Sequence, residues 1–154
     1  MPLYLQAQFV ANKVYITAIA EIKVRLQKYP QAKSEIKDNE ITVFPLDENG
    51  FAVSLRDNNP NYTVTFAGTW HEEYDDMGKA LNAFAFGLSD DCRLQVVYRG
   101  NLAYIWIVEE KDKDGEWFPC QWIGCNETGL LAPPLFWLEK KYVYLQNTLL
   151  KSSA

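Results

Sequence analysis

The sequence predicts an α+β fold: helix, three-stranded antiparallel meander, helix, three-stranded antiparallel meander and C-terminal helix, with the helices packed on a mainly antiparallel sheet. Three observations carry this expectation. Apolar and polar residues alternate over short runs, clusters of turn-forming residues join those runs, and apolar spacings of three and four residues mark the longer segments between them. The chain of 154 residues suits one domain spanning 1–154. A domain of that size buries roughly 68–70% of the surface its unfolded chain exposes, so it needs no disulfide or metal staple.

The segment from about Asn12 to Lys28 supports two periods. Val14, Ile16, Ala18, Ala20, Ile22, Val24 and Leu26 alternate as in a strand, whereas Ile16, Ile19, Ile22 or Lys23, and Leu26 also share one side of a helix. Such a strand would be unusually long, and Tyr29-Pro30 is a fitting helix stop, so a helix is expected. Gln31 to Asn39 reads as a connection.

Ile41 to Leu46 forms the first expected strand and leads into Asp47-Glu48-Asn49-Gly50, whose Asn-Gly pair suits the positive φ angles of a tight hairpin. Phe51, Val53 and Leu55 alternate with Ala52, Ser54 and Arg56 in the second. Asp57-Asn58-Asn59-Pro60-Asn61 is dense in turn formers, after which Tyr62, Val64 and Phe66 resume the alternation toward Trp70.

A second helix is expected from about Asp75 to Leu88, where Met77, Leu81, Phe84 and Leu88 line one stripe and Asp75 can cap the N-terminus. Cys92 to Tyr98, Leu102 to Glu110 and Glu116 to Gly124 form the second meander. Leu102 to Val108 is apolar on both faces and belongs inside the sheet, whereas Pro119 points to an edge for the last strand. Leu135, Leu138, Tyr142, Leu145 and Leu149 trace a helical stripe after Pro133-Pro134, which predicts the C-terminal helix.

Composition excludes more than it selects. Apolar residues make up 48% and charged residues 23%, the balance of a globular protein. A formal net charge of −5 argues against nonspecific nucleic-acid binding, which depends on Lys and Arg at phosphates. The acidity belongs to the middle of the chain: Glu40 to Asp91 holds ten acidic and two basic residues. That segment either solubilises the protein or steers a basic partner. Three cysteines do not make a disulfide framework. The first residues, Met1-Pro2-Leu3-Tyr4-Leu5-Gln6, lack the basic region of a secretory leader, and no stretch approaches the ~20 apolar residues of a membrane helix. A cytoplasmic protein is the expectation, with no membrane contact. The acceptor patterns at Asn61-Tyr62-Thr63 and Asn126-Glu127-Thr128 then carry no weight.

Chemistry-bearing residues are sparse. The only histidine, His71, lies in Trp70-His71-Glu72-Glu73-Tyr74-Asp75-Asp76 and is a candidate general base. Successive strand residues point to opposite faces, so His71 and Glu72 cannot both address one ion there. The competing reading of this run is structural, with acidic residues complementing a helix dipole. Cys120 and Cys125 lack the close pairing of a structural zinc site, and Cys92 reads as a small core residue. Asp112-Lys113-Asp114-Gly115-Glu116 is explained by a hairpin turn and lacks the glutamate that ends a calcium loop. There is no phosphate-cradling glycine loop and no nucleophile elbow. No cofactor and no metal are expected.

The five tryptophans give the remaining lead. Trp106 and Trp122 fall on neighbouring expected strands, and Trp70, Trp117 and Trp137 near element ends. Trp70, Trp106, Trp117 and Trp122, with Arg93 and Arg99 beside them and with His71, Glu72 and Glu73, are the candidate binding residues. In element order, size and isoelectric point the layout resembles the dimeric secretion chaperones of bacterial injection systems, which implies a cytoplasmic protein binder. The first functional expectation is therefore a non-catalytic protein-binding domain (adaptor, chaperone or inhibitor) using an acidic or aromatic face. The alternative is a small-molecule binder or minor enzyme with a Trp-lined pocket near His71. A protein partner or a homodimer is expected, with the Glu116 to Gly124 edge as one dimer surface.

Overall fold

Two turns that composition conceals convert the first meander into a five-stranded sheet. The computed structural model describes residues 16–124 and 137–151, with the backbone alone at 121–124. Among the described residues the order is α1 (Ala18–Leu26), β1 (Lys33–Lys37), β2 (Glu40–Phe44), β3 (Val53–Asp57), β4 (Tyr62–Phe66), β5 (Trp70–Tyr74), α2 (Met77–Leu88), β6 (Cys92–Arg99), β7 (Leu102–Lys111), β8 (Trp117–Gly124) and β9 (Lys140–Leu145). The strands form two antiparallel sheets, ordered β1-β2-β3-β4-β5 and β8-β7-β6-β9. The protein is thus mostly β, with two helices among the described residues, and not two three-stranded meanders under three helices. The layout that resembled the secretion chaperones is absent.

The segment expected to connect holds β1. Lys37 pairs with Glu40 across a two-residue turn in which Asp38 takes φ 53°. Its charged residues lie at the sheet margin, where pairing with β2 needs no burial; this is why hydropathy missed the strand. The long strand expected from Tyr62 toward Trp70 folds back on itself at Ala67-Gly68-Thr69, with positive φ at Ala67 (55°) and Gly68 (69°). Phe66 then faces Trp70 in register. Asn49-Gly50 does not supply positive φ. Gly50 is required for space instead, because a Cβ there would overlap the Asn147 side chain and Pro45.

The C-terminal helix is also overturned. Residues 140–145 form β9, which pairs antiparallel with β6 from Leu94↔Leu145 to Arg99↔Lys140. Tyr142-Val143-Tyr144 are strand formers, and a paired neighbour at β6 outweighs the helical spacing of the leucines. The part of that expectation at 135–136 lies outside the described residues, as does the start of the expected first helix.

Each helix has an identifiable start. Thr17 accepts from the Ala20 amide (3.1 Å) at α1, and Asp76, not Asp75, accepts from the Lys79 amide (2.9 Å) at α2. The expected apolar stripe of α2 buries Leu81, Phe84 and Leu88 against the sheet, joined by Ala80 and Gly87. Opposite them stand Ile41, Val43, Val53, Leu55, Val64, Phe66 and Trp70 from one face of the five-stranded sheet. Cys92, Leu94, Val96 and Val108 extend the same core into the second sheet. β7 lies inside that sheet and β8, with Pro119, at its edge, as the sequence predicts. Among the described residues no helix is long and apolar enough to cross a membrane.

Candidate functional site

The period of two that buries one face of β2–β5 leaves a polar face on the other side. In register across the sheet run two outward rows, Glu35-Thr42-Ser54-Thr65-His71 and Lys37-Glu40-Arg56-Thr63-Glu73. Thr42 and Ser54 share a hydrogen bond (2.8 Å), and Arg56 Nε donates to Glu40 Oε2 (3.0 Å). Asn58 Nδ2 reaches over from the β3–β4 loop to Thr63 Oγ1 (2.6 Å). Over these rows lies a hollow of about 670 Å³, with Ser54, Thr63, Thr65, His71 and Glu73 along its lining and Pro60 and Asn61 at its rim.

His71 and Glu73 therefore share this groove, two residues apart on β5. Among the described residues the imidazole meets one hydrogen-bond partner, the Thr69 carbonyl, 3.3 Å from Nδ1. Glu72 points to the opposite face, where it accepts from Tyr74 Oη (2.9 Å). Burial holds the Tyr74 phenol well above its ordinary range, and the bond to Glu72 adds to the shift. Trp70 is core, its ring 4.5 Å from Phe66 between centroids. No tryptophan is among the described residues lining the groove. The groove offers hydroxyls, one ion pair, an imidazole and a carboxylate. Such a set can hold a polar ligand, but it does not align His71 with a nucleophile.

A different surface collects the other candidates. Arg93 on β6 lies between the rings of Trp117 (4.4 Å to the centroid) and Tyr144 (4.3 Å). Its Nε donates to Glu109 Oε2 (2.6 Å), and Nη2 pairs with the same oxygen. Gln95 Nε2 donates to Tyr144 Oη (2.8 Å), while Lys111 and Lys140 sit over Trp117 and Tyr142. Cation–π contact and a carboxylate together fix the guanidinium and brace the outer face of the second sheet. Trp106 packs against the core from β7. Arg99 reaches the Leu138 carbonyl (3.3 Å). Trp122 lies on β8 with Ile107 as its backbone partner. Of the nine candidates, His71 and Glu73 share the groove, Trp70 and Trp106 pack in or against the core, Arg93 and Trp117 meet on the second sheet, and Glu72 turns away from the groove toward Tyr74.

Exposed apolar side chains mark both edges of the second sheet, with Tyr142 and Tyr144 on the outer face and Val143 and Phe118 on the side of Val96 and Cys92. Phe118, Trp137, Leu138, Tyr142, Val143 and Tyr144 belong to β8, β9 and the residues leading into β9. Trp137 is 68% exposed, and Tyr142, Val143 and Tyr144 are 51%, 41% and 48% exposed. Sequence reasoning missed the β9 residues although their signal was present, because the alternation of Tyr142-Val143-Tyr144 was absorbed into a helical stripe.

The cysteines do not assemble. Burial pushes the Cys92 thiol well above its ordinary range, with Cys120 and Glu110 adding to the shift. Cys120 Sγ donates to the Val108 carbonyl (3.3 Å), and Cys125 lies outside the described residues. Among the described residues no three His, Cys, Asp or Glu side chains come together in a way that could hold a metal ion. No family model, no curated protein and no solved structure matches this chain.

Proposed function

We propose that the protein is a non-catalytic protein-binding domain, and that it binds through the aromatic edge of its second sheet. The observation that carries this reading is the run Tyr142-Val143-Tyr144, which is about half exposed on an edge strand with Trp137 and Leu138 beside it. Tyrosine and tryptophan supply large contact areas with few rotatable bonds, and they are enriched where proteins meet. A strand edge with no partner among the described residues adds a row of backbone donors and acceptors, the basis of strand-addition recognition. Arg93, Glu109 and Gln95 pre-organise this surface by holding Tyr144 in place.

A photoreactive phenylalanine analogue placed at position 144, and separately at Thr65 on the polar face, tests the proposal. Protein adducts at 144 and none at 65 are expected. Adducts confined to 65, or none at either position, reject it.

The groove beside His71 supports a second reading, a site for a small polar ligand. Its volume, about 670 Å³, falls in the range of ligand pockets, and His71 and Glu73 converge on it. Its lining lacks the apolar walls that normally supply affinity, so the edge is preferred. A ligand at the groove would perturb the His71 imidazole resonances, and His71→Ala would remove its binding without changing adducts at 144.

A further inference from the structure

We propose that β9 is a self-association edge: two copies pair their β9 strands antiparallel about Val143, joining the two four-stranded sheets into one of eight strands. This rests on the reading of the surface as protein-binding and names the partner as a second copy of this chain.

The four sheet edges among the described strands are not alike. Native edges are blunted by charge, proline, bulges or inward-pointing charged residues. β1 carries Lys33, Glu35 and Lys37 in five residues. β5 carries His71 and Glu73 outward and Glu72 on the core side. β8 carries Pro119 and a break in register against Val108 and Glu109. In β9 the stretch Tyr142 to Leu145 has no charge, no proline and no bulge, and pairs in continuous register with β6. Among the described residues it is the one edge of the four without such a device.

Charge then selects the occupant. Lys140 and Lys141 stand at one end of β9. At the other end the Gln146 amide donates to the Asn49 carbonyl (2.7 Å), which ties the Asp47-Glu48 turn to that end. Both carboxylate residues are exposed, and neither makes an ion pair among the described residues. Antiparallel pairing of two copies lays the lysine end of each along the acidic end of the other, whereas parallel pairing would oppose lysine to lysine. The edge is therefore complementary to itself in one direction only.

The register follows from the faces. A two-fold axis perpendicular to the sheet keeps each side chain on its own face, so it must pass midway between a residue and its own copy, level with that residue and not between two successive residues. Centred on Val143, it places Tyr142 opposite the partner's Tyr144 on the outer face and Lys141 opposite the partner's Leu145. Cross-strand aromatic pairs stabilise sheets, and like charges directly opposed destabilise them.

The test uses the full-length chain. Sedimentation should give a dimer that dissociates on dilution and weakens with salt. Val143→Lys opposes two like charges at the axis and should yield monomer with an unchanged circular dichroism spectrum; Tyr144→Lys serves if that variant folds poorly. In a Cys120→Ser, Cys125→Ser background, Val143→Cys should oxidise to a covalent dimer. Opposed Cα atoms in an antiparallel pair lie about 4.5–5.5 Å apart, within disulfide reach. Thr65→Cys should not cross-link. Monomer at every concentration, or a dimer that survives both lysine substitutions, overturns the inference. Monomer together with adducts to a different protein at position 144 overturns self-pairing but leaves the protein-binding reading standing. Monomer without such adducts ends both.

Discussion

Glu109 stands directly across from Arg93 on the neighbouring strand, and a single oxygen of its carboxylate takes both Nε and Nη2 of the guanidinium. The pair is partly shielded, with side-chain exposures of 22% for Arg93 and 11% for Glu109, and the two aromatic rings flank the cation. Removing one partner leaves the other charged and poorly solvated. Glu109→Ala should therefore destabilise the fold by about 2 kcal/mol, while Arg93→Met with Glu109→Leu should recover most of that loss. Urea unfolding of the single and double variants measures both. The Glu109→Ala protein should also show weaker capture through position 144, because Tyr144 loses its fixed neighbour.

Asn147 joins three parts of the molecule. Buried beyond β9, it accepts from the Phe51 amide (3.0 Å) and donates to the carbonyls of Phe51 (2.9 Å) and Gly87 (2.9 Å). Asn147→Ala leaves those backbone groups unpaired and should cost about 2–4 kcal/mol. Asn147→Asp should be unstable at neutral pH, where a carboxylate faces two carbonyls, and should regain stability in acid as the protonated form donates again. Denaturation midpoints at two pH values separate the outcomes.

Gly87 lets α2 lie close to the sheet. A methyl group there would overlap the Phe66 ring, and Phe66 already stacks on Trp70. Gly87→Ala should destabilise the protein by about 2 kcal/mol through overpacking. Phe66→Leu in the same protein should return part of it, a coupling readable in a double-mutant cycle.

Alkaline pH should unfold this protein early. The Cys92 thiol and Tyr74 phenol are held in their neutral forms above ordinary values of 9.0 and 10.0. Above those values the unfolded chain ionises first and binds fewer protons than the native state, so stability falls as pH rises. For Cys92 the slope is at most about 1.4 kcal/mol per pH unit. Cys92→Ala should flatten the decline above pH 9, although its stability at neutral pH will be lower. A decline unchanged in that variant would refute the assignment.

The sequence made the core legible and hid the edges. Val53, Leu55, Val64, Phe66, Leu81, Phe84 and Leu88 alternate or recur as their burial requires, so β3, β4 and α2 were readable from period alone. β1 escaped because an edge strand with a charged outer row has no apolar signature, and β5 because Ala67 adopts a left-handed conformation that alanine does not advertise. β9 escaped because Leu138, Tyr142, Leu145 and Leu149 fit a helix as well as a strand, and only pairing with β6 decides between them. Of the candidate binding residues, His71 and Glu73 come together as strand parity requires, while Arg93 and Trp117 meet only because the second sheet brings β6 and β8 to opposite sides of β7. The latter is a tertiary fact that no local pattern contains.

Amide hydrogen exchange over Lys140–Leu145, measured in dilute and in concentrated solution, tests most directly whether β9 is an occupied edge. A strand bonded on one side leaves alternate amides open to solvent; a second copy covers them. The account predicts that protection of these amides rises with concentration in the native protein and stays low in Val143→Lys. Equal exchange at both concentrations, with protection unchanged by the substitution, would contradict it.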